Sequence, residues 1–194
     1  MGKTWAMRAL VAYPGALVFI HDDKSAVPEY PDHATYFRTP AELERIGPEQ
    51  QAAISAAAFR GDIHAGQICE ADEVAAAALG CARKRVPALL VIDEWRRVPT
   101  GKGDAPNVDA CVLTGRAMGL SVAAGAQIPQ NVGGTMINSA SSVGIFRVGP
   151  AGLNYLDERL FFDLAMLEVV PTLEPGDFVL HRPGFPWDRT VYRF

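Results

Sequence analysis

The chain has 194 residues, 49% hydrophobic and 21% charged, the balance of an ordinary globular protein with length for one domain and a full α/β core. No run approaches the about 18 apolar residues of a membrane-spanning helix, and Met1-Gly2-Lys3-Thr4-Trp5 has neither the basic region nor the apolar stretch of a signal peptide, so a cytoplasmic chain is expected. A net charge of −4 argues against a protein that coats nucleic acid non-specifically; any DNA contact must be local or come from an assembled ring.

In chain order, Thr4 to Ala12 suits a helix that opens directly from Gly2-Lys3-Thr4. Ala16 to His21 is a short apolar run with the length of a buried strand. Prolines and acids between Asp22 and Pro40 predict an irregular excursion holding a short strand at Ala34 to Phe37. A helix starts at Pro40, Ile54 to Phe59 reads as a strand, and Asp72 to Arg85 as an alanine-rich helix. Ala88 to Ile92 is a strongly apolar strand that ends in Asp93 and Glu94. After a Gly/Pro loop, Val108 to Met118 is a helix stopped by Gly119, and Leu120 to Ala126 is a strand ending at Gln127. There follow a helix around Val132 to Ala140, a strand at Val143 to Val148, a helix near Gly152 to Phe162, and two strands flanking a turn at Pro183-Gly184. Strands alternating with helices predict a mostly parallel sheet with helices on both faces.

Three features point to one chemistry. A phosphate-binding loop reads G-x-x-x-x-G-K-[ST]; its backbone N–H groups cradle phosphates, its Lys neutralises them and its hydroxyl ligates Mg²⁺. Only its end, Gly2-Lys3-Thr4, is present, so Met1 is read as an internal methionine of a longer protein that supplies the first strand and the rest of the loop. A genuine start at Met1 stays open as the alternative. Asp93-Glu94 places one acid at a strand's carboxyl edge to hold Mg²⁺ and the next where it can act as general base toward water. Gln127 puts an amide at the following strand end, where it can orient that water; a turn-forming Gln before Pro129 is the other reading.

These segments resemble the HerA/FtsK superfamily of ring-forming ATPases. The resemblance lies in M-G-K-T-W (1–5), A-L-L-V-I-D-E-W (88–95) and G-R-A-M-G-L-S-V-A-A-G-A-Q-I-P-Q-N-V (115–132), and continues through S-S-V-G-I-F-R-V-G (141–149) and L-E-P-G-D-F-V-L (173–180). It implies a RecA/ASCE-like P-loop NTPase fold lacking its first strand, with ATP and Mg²⁺ as ligands, double-stranded DNA as partner, and a homo-hexamer without a membrane span. By the same resemblance Gly2, Lys3 and Thr4 fall on the nucleotide loop, Thr4 and Asp93 on the metal, Glu94 on the base and Gln127 on the sensor. Members also use an arginine from a neighbouring subunit, for which Arg116 is the first candidate and Arg147 the second. The implied function is ATP hydrolysis driving DNA translocation or viral genome packaging. The alternatives are a protein-export or filamentous-phage assembly ATPase similar to the zonula occludens toxin family, and a binding module that does not hydrolyse nucleotide.

The remaining signals carry less. Cys69, Cys81 and Cys111 lack a C-x-x-C pair and read as free thiols. Arg96, Arg97 and Lys102 fall in a glycine-containing loop beside the acids, Arg83-Lys84-Arg85 suits a helix end, and His21, His33, His64 and His181 share no metal-binding spacing.

Overall fold

The computed structural model describes residues 16–22, 30, 34–60, 70–95, 105–132 and 134–193. Gly2-Lys3-Thr4, the expected helix behind it, Cys69, His33, His64 and the loop carrying Arg96, Arg97 and Lys102 lie outside the described residues. The chain divides into two compact units, one ending at Ala126 and the other taking Gln127 onward.

In the first unit, β1 (Leu17–His21), β2 (Thr35–Phe37), β3 (Ala56–Phe59), β4 (Ala88–Ile92) and β5 (Leu120–Ala124) form one sheet in the order β2-β3-β1-β4-β5. Every pairing is parallel. The continuous apolar runs of β1 and β4 fit this arrangement, because a strand covered on both faces has no solvent side on which to place polar residues. Alternation sends Val18, Ile20, Ala56, Ala58 and Val91 to one face with Tyr30 and Tyr36. Phe19 and Phe59 alternate onto the other, their rings stacked 6.2 Å apart, with Phe37 beyond. The alanines of β3 are poor strand formers, but they leave space for these large rings on either side.

Two short helices, α1 (Pro40–Arg45) and α2 (Pro48–Ala52), precede β3; α2 was not expected from sequence. The longer α3 (Ala71–Arg83) buries Val74, Ala75, Ala78, Leu79 and Ala82, a stripe at helical spacing that packs on β1 and β4. It ends in backbone bonds from Lys84 and Arg85, the latter at φ 62, in the left-handed region.

The expected helix at Val108 to Met118 starts two residues earlier and changes type. As α4 (Pro106–Thr114) it is α-helical; from Gly115 to Met118 it tightens to a 3-10 turn. A Cβ on Gly115 would lie 3.2 Å from both the side chain and the carbonyl oxygen of Leu120, so the glycine lets the turn close onto the strand that follows. Gly119 at φ +78 then reverses the chain into β5.

The second unit holds α5 (Gly134–Ser139), β6 (Val143–Phe146), α6 (Pro150–Leu160), α7 (Leu164–Val169), β7 (Asp177–His181) and β8 (Val191–Arg193). Its strands form an antiparallel sheet in the order β6-β7-β8. The strand expected at Val143 to Val148 ends at Phe146 and pairs antiparallel with β7 instead of extending the parallel sheet. Ring packing across the sheet accompanies this register: Phe146 lies 5.5 Å from Phe178, which stacks 5.2 Å from Tyr192. The helices cover the other side with Ile137, Leu153, Leu156 and Met166 against Ile145 and Val179.

Candidate functional site at the carboxyl edge of the parallel sheet

Because all five described strands of the first unit run the same way, their C-terminal ends share one edge. The ladder continues one residue beyond the strands. Arg60 donates its N–H to the Phe37 carbonyl (3.1 Å), Asp22 to Phe59 (3.0 Å), Asp93 to His21 (3.4 Å) and Gly125 to Ile92 (2.9 Å). Arg60, Asp22, Asp93 and Gly125 therefore form one row across four neighbouring strands. By strand alternation, this row falls on the face that carries Ile20, Ala58 and Val91.

Asp93 and Glu94 stand where their motif predicts, at the end of β4, and both are buried: Asp93 is 0% exposed and Glu94 3%. Trp95, also buried, donates its backbone N–H to the Gly125 carbonyl at 2.8 Å and ties the end of β4 to that of β5. Asp22, 0% exposed, is the feature the motifs missed. Its Oδ2 accepts the Tyr36 hydroxyl at 2.7 Å, and that hydroxyl oxygen accepts the Tyr30 N–H at 2.8 Å. Burial, followed by the bond to the Asp22 carboxylate, pushes the Tyr36 phenol above its ordinary range. A signal for Asp22 was present in the sequence: like Asp93, it follows an apolar run of strand length.

The other predicted residues are more dispersed. Gln127 is exposed, three positions past the end of β5. Arg116 is exposed in the 3-10 turn before β5, hence at the amino end of a strand whose carboxyl end meets Trp95. Five residues of strand, about 17 Å, separate that end from the acidic edge, so Arg116 does not reach Asp93 of its own chain. Arg147 is exposed just after β6 in the second unit. Lys3 and Thr4, outside the described residues, are not placed.

A buried carboxylate is a hard oxygen donor. Among the described residues no group of three or more His, Cys, Asp and Glu side chains could hold a metal. One protein carboxylate with the remaining positions left to water and substrate phosphates is the donor set that suits Mg²⁺. The residues present thus fit that ion better than one needing an all-protein cage.

A parallel sheet with the crossover order β2-β3-β1-β4-β5 and paired acids at the end of β4 has the α/β fold of the P-loop NTPases that package viral genomes. The solved structures it is similar to include the genome-packaging NTPase B204 of Sulfolobus turreted icosahedral virus 2. In complex with AMPPCP that protein superposes with a TM-score of 0.71 at 15% identity, covering 98% of this chain and 91% of B204. In complex with ATP-γS the values are 0.69 and 14%, covering 99% and 90%. B204, the DNA-packaging ATPase of Sulfolobus turreted icosahedral virus, gives 0.72 at 14%, covering 98% and 90%. No family model matches the sequence, and no curated protein does. No helix among the described residues is long and apolar enough to cross a membrane.

Proposed function

We propose that this chain is the core of an ATPase that moves double-stranded DNA into a viral particle as a ring of identical subunits. The observation that carries the reading is the buried Asp93-Glu94 pair at the carboxyl edge of a parallel sheet, in a fold shared with packaging NTPases. In this reading Lys3 and the backbone around Gly2 hold the β- and γ-phosphates of ATP. Thr4 and Asp93 would hold Mg²⁺, which when bound offsets the charge of those phosphate oxygens. Glu94 takes the proton of the attacking water, and Gln127 orients that water. Since Arg116 lies at the far edge of its own sheet, its role would be in a neighbour's site, across a ring interface; Arg147 is the second candidate.

The ladder bonds from Ala88 to Gly119 and from Gly125 to Ile92 turn the backbone groups of Ser121 and Ala123 toward β4. Those of Leu120, Val122 and Ala124 face the other side, where no described strand pairs. Among the described residues this edge carries no lysine, proline or bulge, devices that commonly protect an open edge. This supports a further parallel strand there, one that runs into the phosphate loop and ends at Gly2-Lys3-Thr4.

The test compares ATP turnover of the 194-residue chain with that of a chain extended upstream by about 10–40 in-frame residues, enough for a strand and the rest of the loop. The extended chain is expected to hydrolyse ATP, with Glu94→Gln lowering turnover by about 10²–10⁴-fold and leaving nucleotide bound. Stimulation by double-stranded DNA distinguishes packaging from protein export. An extended chain that binds nucleotide without turnover would make this a binding module, and one that does not bind at all would end the ATPase reading.

A further inference from the structure

We infer that Asp22 is a positioning residue of this same site, a second buried carboxylate that strengthens the hold of Asp93 on a divalent cation. The inference rests on the reading of Asp93 given above and extends it to a residue on a different strand.

The geometry begins with register. His21 pairs with Ile92, so the next residues, Asp22 and Asp93, are opposite one another on adjacent strands, with backbones about 4.8 Å apart and side chains leaving the same face. The Asp93 N–H bond to the His21 carbonyl confirms that the ladder still holds at that point. Neither residue has any solvent exposure.

Asp22 is also held in place. Tyr36 is in register with Ala58, which is in register with Ile20, so its ring lies on the same face, two strands from β1. The small side chain of Ala58 leaves the ring room to bring its hydroxyl to Asp22 Oδ2, and the Tyr30 N–H fixes the hydroxyl from behind. A phenylalanine would fill the same apolar cluster without burying a polar group; the tyrosine adds a donor that orients an acceptor-only carboxylate. Arg60, in the row on the far side of Asp22, carries the opposite charge, so the negative end of the row is the Asp22–Asp93 side. Two carboxylates at this separation repel when both are ionised, and a divalent cation beside Asp93 relieves that repulsion. A neighbour that acts on a metal through its ligand typically changes affinity by about 10–100-fold when altered.

Asp22→Asn separates charge from structure, because the amide oxygen still accepts the Tyr36 hydroxyl. The measurement is Mn²⁺ affinity by electron paramagnetic resonance titration with saturating AMPPCP, in whichever chain length of the preceding test binds nucleotide. Asp22→Asn is expected to weaken Mn²⁺ binding about 10-fold with the melting temperature preserved, and Asp93→Asn to weaken it at least as much. Loss in Asp93→Asn with wild-type affinity in Asp22→Asn overturns the inference and leaves the site reading intact; wild-type affinity in both overturns the site reading as well. Should Asp22→Asn fail to fold, Tyr36→Phe keeps the charge but frees the carboxylate. It is expected to weaken Mn²⁺ about threefold, the effect of one lost orienting hydrogen bond, and an unchanged affinity would count against Asp22.

Discussion

Asp72 belongs to the first turn of α3, yet its carboxylate starts a different helix. Its Oδ1 accepts the backbone N–H groups of Asn107 (2.7 Å) and Val108 (3.0 Å), and its Oδ2 accepts the Asn107 side-chain amide (2.7 Å). The residue in the capping position of α4, Ala105, has no side chain to offer, and Pro106 at the first helical position has no N–H to satisfy. Asp72→Ala therefore removes three hydrogen bonds to one carboxylate. A lost cap costs about 1 kcal/mol and a hydrogen bond to a charged group about 1.5–3 kcal/mol. The site is only half-buried and water can replace part of the loss, which brings the expected destabilisation to about 2–4 kcal/mol. For a chain of this size that is a fall in melting temperature of about 5–12 °C. Urea unfolding followed by circular dichroism reads it directly, and Asp72→Asn, which keeps an acceptor for the two backbone groups, should lose about half as much. A double-mutant cycle with Asn107→Ala isolates the side-chain bond. A loss under about 0.5 kcal/mol in Asp72→Ala would refute the claim that Asp72 anchors α4 and through it the turn into β5, and strict additivity with Asn107→Ala would leave the anchoring to the two backbone bonds alone.

Two further outcomes follow from local chemistry. Burial, with the Asp72 charge adding to it, pushes the Cys111 thiol up to about 12, and its Sγ lies 3.6 Å from the Ala75 carbonyl. Iodoacetamide at pH 8 should thus label Cys111 only as fast as the protein unfolds, as read by peptide mass spectrometry; rapid labelling of the native chain would refute this. In the second unit, Arg193 donates from Nε to Asp177 Oδ1 (2.6 Å) and from a terminal nitrogen to Oδ2 (2.9 Å), and this pairing holds the Asp177 carboxyl below its ordinary value of 3.8. A depressed folded value means that the contribution is complete at neutral pH and is lost as pH falls through 3.8 toward the lower folded value. Asp177→Asn should lower the melting temperature at pH 7 and flatten its decline as pH falls below 3.8; an acid limb identical to that of the parent would count against it.

The strands that build the site were legible because each is an apolar run of strand length bounded by Pro, Gly or charge: Leu17–His21, Ala88–Ile92 and Leu120–Ala124 all fall within a residue or two of their expected limits. Asp93-Glu94 was legible for the same reason, since acids at the end of such a run must emerge at a sheet edge. Pairing was not. The alternation of Val143–Phe146 says which side chains share a face, but parallel and antiparallel neighbours satisfy it equally, and the partner, Asp177–His181, comes only after two intervening helices. Helix limits failed where their cause was distant. Val108 reads as the natural start of α4 until Asp72, 36 residues earlier, supplies the cap that Ala105 lacks.

Asp22 joins these two lessons. It carries the same local mark as Asp93, an acid after an apolar run, but no motif in the sequence assigns it a role, and the described residues between β1 and β4 hold two further strands and three helices. Only the crossover that places β1 directly beside β4 makes the two acids neighbours, and only their register puts them in one row on one face. In a parallel sheet the criterion "apolar run ending in acid" selects candidates, and strand order then decides which of them can act on the same ion. On that argument, moving the Asp22 charge by one residue along β1, with Asp22→Asn and His21→Asp combined, should fail to restore Mn²⁺ affinity. The displaced carboxylate would leave the opposite face of the sheet, so recovery in that variant would mean that proximity alone, without register, sets the contribution of Asp22.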